Sequence, residues 1–107
     1  MRRGSVYWIN LEPASAPELG KVRPAIIISN SVHNERLESV VVVPLSTRAP
    51  EIWPLRLLVE APGLKASFAI IPGMRQISKA RLHELIGHTA TAAMARVNEA
   101  VALYLND

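Results

Sequence analysis

Apolar residues fall along the first two-thirds of this chain in short runs, separated by segments containing Pro or Gly. Ser5 to Leu11 is rich in aromatic and β-branched residues and predicts a strand. Glu12 to Lys21 carries Pro13, Pro17 and Gly20 and predicts a loop. Pro24 to Ser29, with Ile26, Ile27 and Ile28, reads as a buried strand; Ser39 to Pro44, with four consecutive valines, reads as another. Leu55 to Glu60 and Ser67 to Ile71 predict two more, with a turn at Pro62-Gly63 between them. Strands this frequent, with connections this short, predict a small antiparallel barrel or sandwich.

The period then changes. Between Ala90 and Leu105 the apolar residues Met94, Val97, Val101 and Leu105 recur at spacings of three and four, the stripe of an amphipathic helix. Thr89 or Thr91 is expected to cap its start, and its apolar stripe is expected to cover one open side of the sheet. Ser78 to Leu85 predicts one short helical turn capped by Ser78. No repeat, low-complexity segment or linker divides residues 1–107, so one domain is expected.

Composition narrows the partners. A chain of 107 residues buries only about two-thirds of its unfolded surface, and a homodimer interface would add to its modest core. Hydrophobic residues make up 50% and charged residues 20%, which suits a folded domain. The net charge of +3 and pI of about 9.8 favour a polyanionic partner only weakly. There are no cysteines, which excludes a disulfide scaffold and thiolate catalysis and agrees with a reducing cytoplasm. Met1-Arg2-Arg3 is basic but no long apolar region follows, so neither a signal peptide nor a membrane span is expected.

Several residues have chemistry to offer. His33, His83 and His88 have neither the i, i+4 spacing of a helical metal site nor clustered acidic residues, so no metal or other cofactor is expected. They read as structural or surface groups, with an acid–base pair as the alternative. Gly20-Lys21-Val22-Arg23-Pro24 sets two cations where a loop enters a buried strand, and the planar fork of Arg23 suits a phosphate. Ser46-Thr47-Arg48 ends the valine strand with two hydroxyls and a cation, a set that plain turn chemistry also explains. Trp53 stands in the following loop, either folded onto the barrel edge or ready to stack on a base; Trp8, inside a strand, is expected in the core.

Taken in order, these segments resemble the MazF/PemK toxins. Arg3-Gly4-Ser5-Val6-Tyr7 with Leu11-Glu12-Pro13 resembles the family's opening strand. Val22-Arg23-Pro24-Ala25-Ile26-Ile27-Ile28-Ser29-Asn30 resembles its most distinctive segment. Val41-Val42-Val43-Pro44-Leu45-Ser46-Thr47 resembles its third strand, and Arg75, Ile77, Lys79, Arg81, Leu82 and Ile86-Gly87-His88 resemble the signature before its last helix. The resemblance implies a mainly β fold, a small SH3-like antiparallel barrel of the MazF/CcdB/Kid type with a C-terminal α-helix, working as a homodimer. It implies an endoribonuclease that cuts single-stranded RNA, with a MazE-like antitoxin bearing an acidic, flexible tail. It places Arg23 at the catalytic arginine, Ser46 at the catalytic threonine and Glu18 at a glutamate of the first loop. Lys21, Thr47, Arg48, Trp53, Arg75 and Gln76 are then expected along the RNA path.

The chain departs from the pattern at three places, one of them Leu19, where a glutamine is common. Thr-Ser becomes Ser46-Thr47, which keeps a hydroxyl and drops a methyl. Pro72-Gly73 replaces a Glu-Gln pair, removing a carboxylate and an amide. Two alternatives accompany the enzyme reading: a gyrase-binding poison of the CcdB type, whose Trp-Gly-Ile tail is not matched by Tyr104-Leu105-Asn106-Asp107, and a catalytically silent RNA-binding homologue.

Overall fold

The computed structural model describes residues 1–16, 20–48 and 50–107. Its strands are β1 (Ser5–Asn10), β2 (Val22–Ile27), β3 (Ser39–Ser46), β4 (Arg56–Val59), β5 (Ser67–Ile70), β6 (Arg75–Ser78) and β7 (Leu82–His88). Two α-helices accompany them, α1 (Ser31–Arg36) and α2 (Thr91–Leu105). The strands form one antiparallel sheet in the order β4-β5-β3-β2-β1-β7, and β6 pairs with the first half of β3. The pairing path is open between β4 and β7, so the barrel-like sheet does not close by hydrogen bonds among the described residues.

The consecutive apolar residues of β2 and β3 follow from burial on both faces. Alternate residues of a strand point to opposite sides. Ile26, Val43 and Leu45 join Val6, Leu57 and Val59 in one buried cluster, which α2 covers with Met94, Val97 and Ala100. Ala25, Ile27 and Val42 point the other way and pack with Ile9, Leu11 and Ile77. The expected helix therefore covers one side of the sheet, but its stripe differs. Ala100 is buried where Leu105 had been expected, and Leu105 is 66% exposed. The threonine cap is also corrected: Ala90 occupies the cap position with no side-chain bond, while Thr89 is turned inward and its backbone N–H donates to the Gly4 carbonyl at 2.8 Å.

Helix α1 and strands β6 and β7 were not predicted. Helix α1 starts at Asn30, whose side chain accepts from the N–H groups of Val32 and His33 at 2.8 and 3.3 Å. The predicted turn after Ser78 is a 3₁₀ turn, Lys79–Arg81, with Ser78 as its cap, but Leu82 already begins β7. Strand β7 runs along the sheet edge against β1 with two register irregularities, so its sequence shows no clean alternation. Strand β6 is held by its pairing with β3, from Ser39↔Ser78 to Val42↔Arg75.

A buried amide fastens α1 to the sheet. Asn34 is 1% exposed; its Nδ2 donates to the Met1 and Ser29 carbonyls at 3.2 and 3.1 Å, and its Oδ1 accepts from the Ser29 hydroxyl. Ser29 Oγ in turn accepts from the Val41 N–H at 3.0 Å. Replacing Asn34 with alanine leaves two part-buried carbonyls and a part-buried hydroxyl without this partner. Each such group costs about 1–3 kcal/mol. Asn34→Ala is expected to lower the urea midpoint by the equivalent of about 2 kcal/mol or more, with an unchanged slope. A stability equal to that of the parent protein would refute the role given to this amide.

Candidate active site

The ends of β2 and β3 meet at the mouth of a cavity of about 420 Å³, a volume within the roughly 300–1,000 Å³ of small-molecule sites. Arg23, Ser46 and Thr47 line it together with Trp8, Lys65 and Ser67. The register explains why Arg23 and Ser46 meet. Ala25 pairs with Pro44 at the end of that antiparallel ladder, and Arg23 and Ser46 each lie two residues beyond the pair. The loop from β4 to β5 supplies the far wall. Gly63 adopts a φ of +81°, a conformation that favours glycine, and the turn it makes brings Leu64 and Lys65 over the groove. The loop lies tight on β7: a Cβ on Gly87 would stand 2.6 Å from the Pro62 carbonyl oxygen.

Arg23 is half-buried, and its Nε donates to the Gly20 carbonyl at 2.8 Å. That bond fixes the plane of the guanidinium. Its two terminal nitrogens have no protein acceptor among the described residues, and they form a fork suited to two oxygens of one phosphate. Ser46 is 8% exposed, and its Oγ accepts from the Arg48 N–H at 3.2 Å, which leaves the hydroxyl proton for a ligand. Lys65 adds a second cation at the rim, and Trp8, 41% exposed, adds an aromatic face. A cationic fork, two hydroxyls, a second cation and an indole fit a ligand that joins phosphate to a flat ring.

The remaining expected site residues are not among those lining this cavity or fall outside the described residues. Glu18 falls among residues 17–19, which are outside them. Lys21 is exposed with a φ of +67°, and its N–H donates to Glu12 Oε1 at 2.6 Å. Arg48 is exposed, and its carbonyl accepts from Arg56 Nη1 at 3.1 Å. Arg75 is half-buried and donates to the Leu11 carbonyl at 3.3 Å, tying β6 to the chain after β1. Gln76 donates to Ser39 Oγ at 2.8 Å. Trp53 is 43% exposed with the Arg96 guanidinium 5.5 Å from its ring centroid. Arg96 also pairs with Glu51, whose carboxyl is held below its ordinary pKa first by the Leu58 N–H and then by Arg96. Pro72 and Gly73 form a 3₁₀ turn against Pro44 and are not among the cavity's lining residues.

Trp8 corrects the expectation of a core tryptophan. Val6, two residues earlier on the same face of the strand, and Ile9, the next residue, are both fully buried, so the strand's pattern gave no warning. Lys65 was missed because a lone lysine after a turn carries no signal of what it faces. Among the described residues no three His, Asp or Glu side chains gather as metal ligands, and no helix is long and apolar enough to cross a membrane.

A family profile described as "PemK-like, MazF-like toxin of type II toxin-antitoxin system" matches residues 2–105. The endoribonuclease MazF9 of Mycobacterium tuberculosis is 31% identical over 99% of this chain and 97% of its own length. The endoribonuclease MazF of Staphylococcus saprophyticus is 30% identical over 98% of this chain and 91% of its own length. Among solved structures, an endoribonuclease in complex with its cognate antitoxin from a mycobacterial species superposes with a TM-score of 0.82 at 25% identity, covering 100% of this chain and 98% of that one. MazF from Deinococcus radiodurans shares the fold with a TM-score of 0.86 at 21% identity, covering 98% and 96% of the two chains.

Proposed function

The chain belongs to the PemK-like, MazF-like toxins of type II toxin–antitoxin systems, and on that basis we propose that it is a ribosome-independent endoribonuclease that cuts single-stranded RNA without a metal. Cutting mRNA in the cytoplasm would stop translation and growth. The observation that carries the reading is that Arg23 and Ser46, far apart in sequence, line one groove with a second cation and an exposed indole.

In the proposed reaction the 2′-oxygen of one nucleotide attacks the adjoining phosphorus. The bond from phosphorus to the 5′-oxygen of the next nucleotide breaks, leaving a 2′,3′-cyclic phosphate and a 5′-OH end. The proton lost from the 2′-OH needs a base, and the leaving 5′-oxygen needs a proton. Arginine stays protonated at any working pH, so Arg23 is the donor to the charged phosphoryl oxygens. Ser46 hydrogen-bonds the same oxygens or assists the leaving group, and Glu18 is the proposed base. Positioned donors of this kind lower the barrier because charge grows on those oxygens as the reaction proceeds.

A cognate antitoxin with an acidic, flexible tail fits the same groove, where its carboxylates would compete with phosphates for Arg23 and Lys65. The protein is proposed to work as a homodimer; exposed Leu103 and Leu105 at the end of α2 are apolar surface that a second copy would cover. The gyrase-poison alternative is not favoured, since the matching family and the relatives named above are PemK- and MazF-type toxins. Pure protein incubated with long single-stranded RNA in excess EDTA is expected to yield fragments with 5′-OH ends. Cleavage that stops in EDTA and returns with Mg²⁺ or Mn²⁺ would sink the metal-free mechanism, and intact RNA would leave the silent homologue.

A further inference from the structure

We propose that Trp8, with Pro24 and Val22, forms a stacking shelf for the nucleobase next to the phosphate held by Arg23; this rests on the endoribonuclease reading and names the part of the substrate that the apolar half of the groove receives. Trp8 lies directly opposite Pro24 in the β1–β2 ladder, so the two side chains share a face. Val22 is the next residue of β2 on that face and is 51% exposed. All three line the cavity that Arg23 and Ser46 line. A tryptophan left 41% exposed between half-buried Tyr7 and fully buried Ile9 forgoes the burial that its large apolar surface favours.

The shelf itself carries no charge. Arg23 and Lys65 border the cavity, and Thr47 and the Ser67 hydroxyl offer polar atoms along it. Ser67 Oγ is bound to the Lys65 carbonyl at 2.9 Å, which steadies the loop that carries Lys65. A flat apolar face beside a phosphate-binding fork suits a base with its own phosphate. A second phosphate would find no partner on the shelf, and a ribose has no face to stack. Every base has such a face, so stacking on Trp8 strengthens binding whatever the base. Sequence preference must then come from elsewhere in the groove.

The test uses short RNA strands carrying one site that the wild-type protein cuts, with an abasic ribose placed in turn at each nucleotide around it. Trp8→Ala is expected to raise KM about tenfold and to leave kcat within about twofold, while Trp8→Phe stays close to wild type. One abasic position beside the cut should raise the wild-type KM by a similar factor and add nothing to Trp8→Ala. An unchanged KM in Trp8→Ala, or abasic and Trp8→Ala effects that multiply at every position, overturns the shelf. Dissociation of a wild-type dimer by Trp8→Ala, seen by light scattering, would assign Trp8 to the contact between copies and also overturn it. If Trp8→Ala fails to fold, Trp53→Phe leaves Trp8 as the only tryptophan. Its emission should then be quenched by the RNA and not by the critical abasic strand; equal quenching by both, or none, overturns the shelf. Wild-type protein that neither binds nor cuts RNA removes the endoribonuclease reading and the shelf together, whereas cutting that ignores Trp8 removes the shelf alone.

Discussion

Arg23→Ala is expected to cut the single-turnover cleavage rate by at least about a hundredfold, the usual effect of removing one donor aimed at transition-state charge. The geometry gives the reason. The Nε bond to the Gly20 carbonyl orients the guanidinium before any ligand arrives, so no free energy is needed to align it as charge develops. RNA binding should suffer less than the rate, because Lys65 borders the same cavity and shares the ground-state contacts to phosphate. Arg23→Lys should recover little. An ammonium keeps the charge but cannot hold the Gly20 carbonyl and two phosphate oxygens in one plane. Comparing the dissociation constant and the single-turnover rate for the three proteins checks this. An Arg23→Ala protein as fast as the parent would remove Arg23 from the mechanism.

Strands whose residues are buried on both faces were the most legible part of the chain. Ile26 and Ile27, like Val42 and Val43, are consecutive residues that serve opposite clusters, so their apolar runs reflect burial directly. Helix α2 was legible because Met94 and Val97 must both meet the sheet. Strand β7 was hidden because it is an edge strand with half-exposed residues, and its shape comes from pairing with β1. Helix α1 has only six residues, too few for a helical period to show.

The site was legible in part. Arg23 and Ser46 stand out as polar groups at the ends of two buried strands, and the ladder between those strands brings them together. Arg75 and Gln76 were expected only along the RNA path. Their side chains hydrogen-bond the Leu11 carbonyl and the Ser39 hydroxyl, contacts that the sequence pattern does not show. Trp8 and Lys65 depend on how the β4–β5 loop folds over the sheet end, which follows from a close approach between Gly87 and Pro62 rather than from local pattern.

A single 2′-deoxy nucleotide on the 5′ side of the cut phosphate is expected to abolish cleavage while RNA binding stays nearly intact. The modification deletes the proposed nucleophile and leaves every phosphate in place, so the ground-state contacts to Arg23 and Lys65 survive. The hydroxyl variants place the protein's side of the same step. Ser46 is buried at the strand end and holds the Arg48 N–H through its oxygen, so its proton stays free to donate to a ligand. Thr47 is exposed, and its hydroxyl lies beyond the last residue of β3. Ser46→Ala should therefore be slow, and Thr47→Ala should be milder. Ser46→Thr should stay active, since it restores a hydroxyl at the same atom and adds only a methyl group. If Thr47→Ala proves the slower of the two alanine variants, the working hydroxyl lies one residue further along the chain. Cleavage of the 2′-deoxy strand at the same position would show that the nucleophile comes from outside the RNA, and the cyclic-phosphate route would be lost with it.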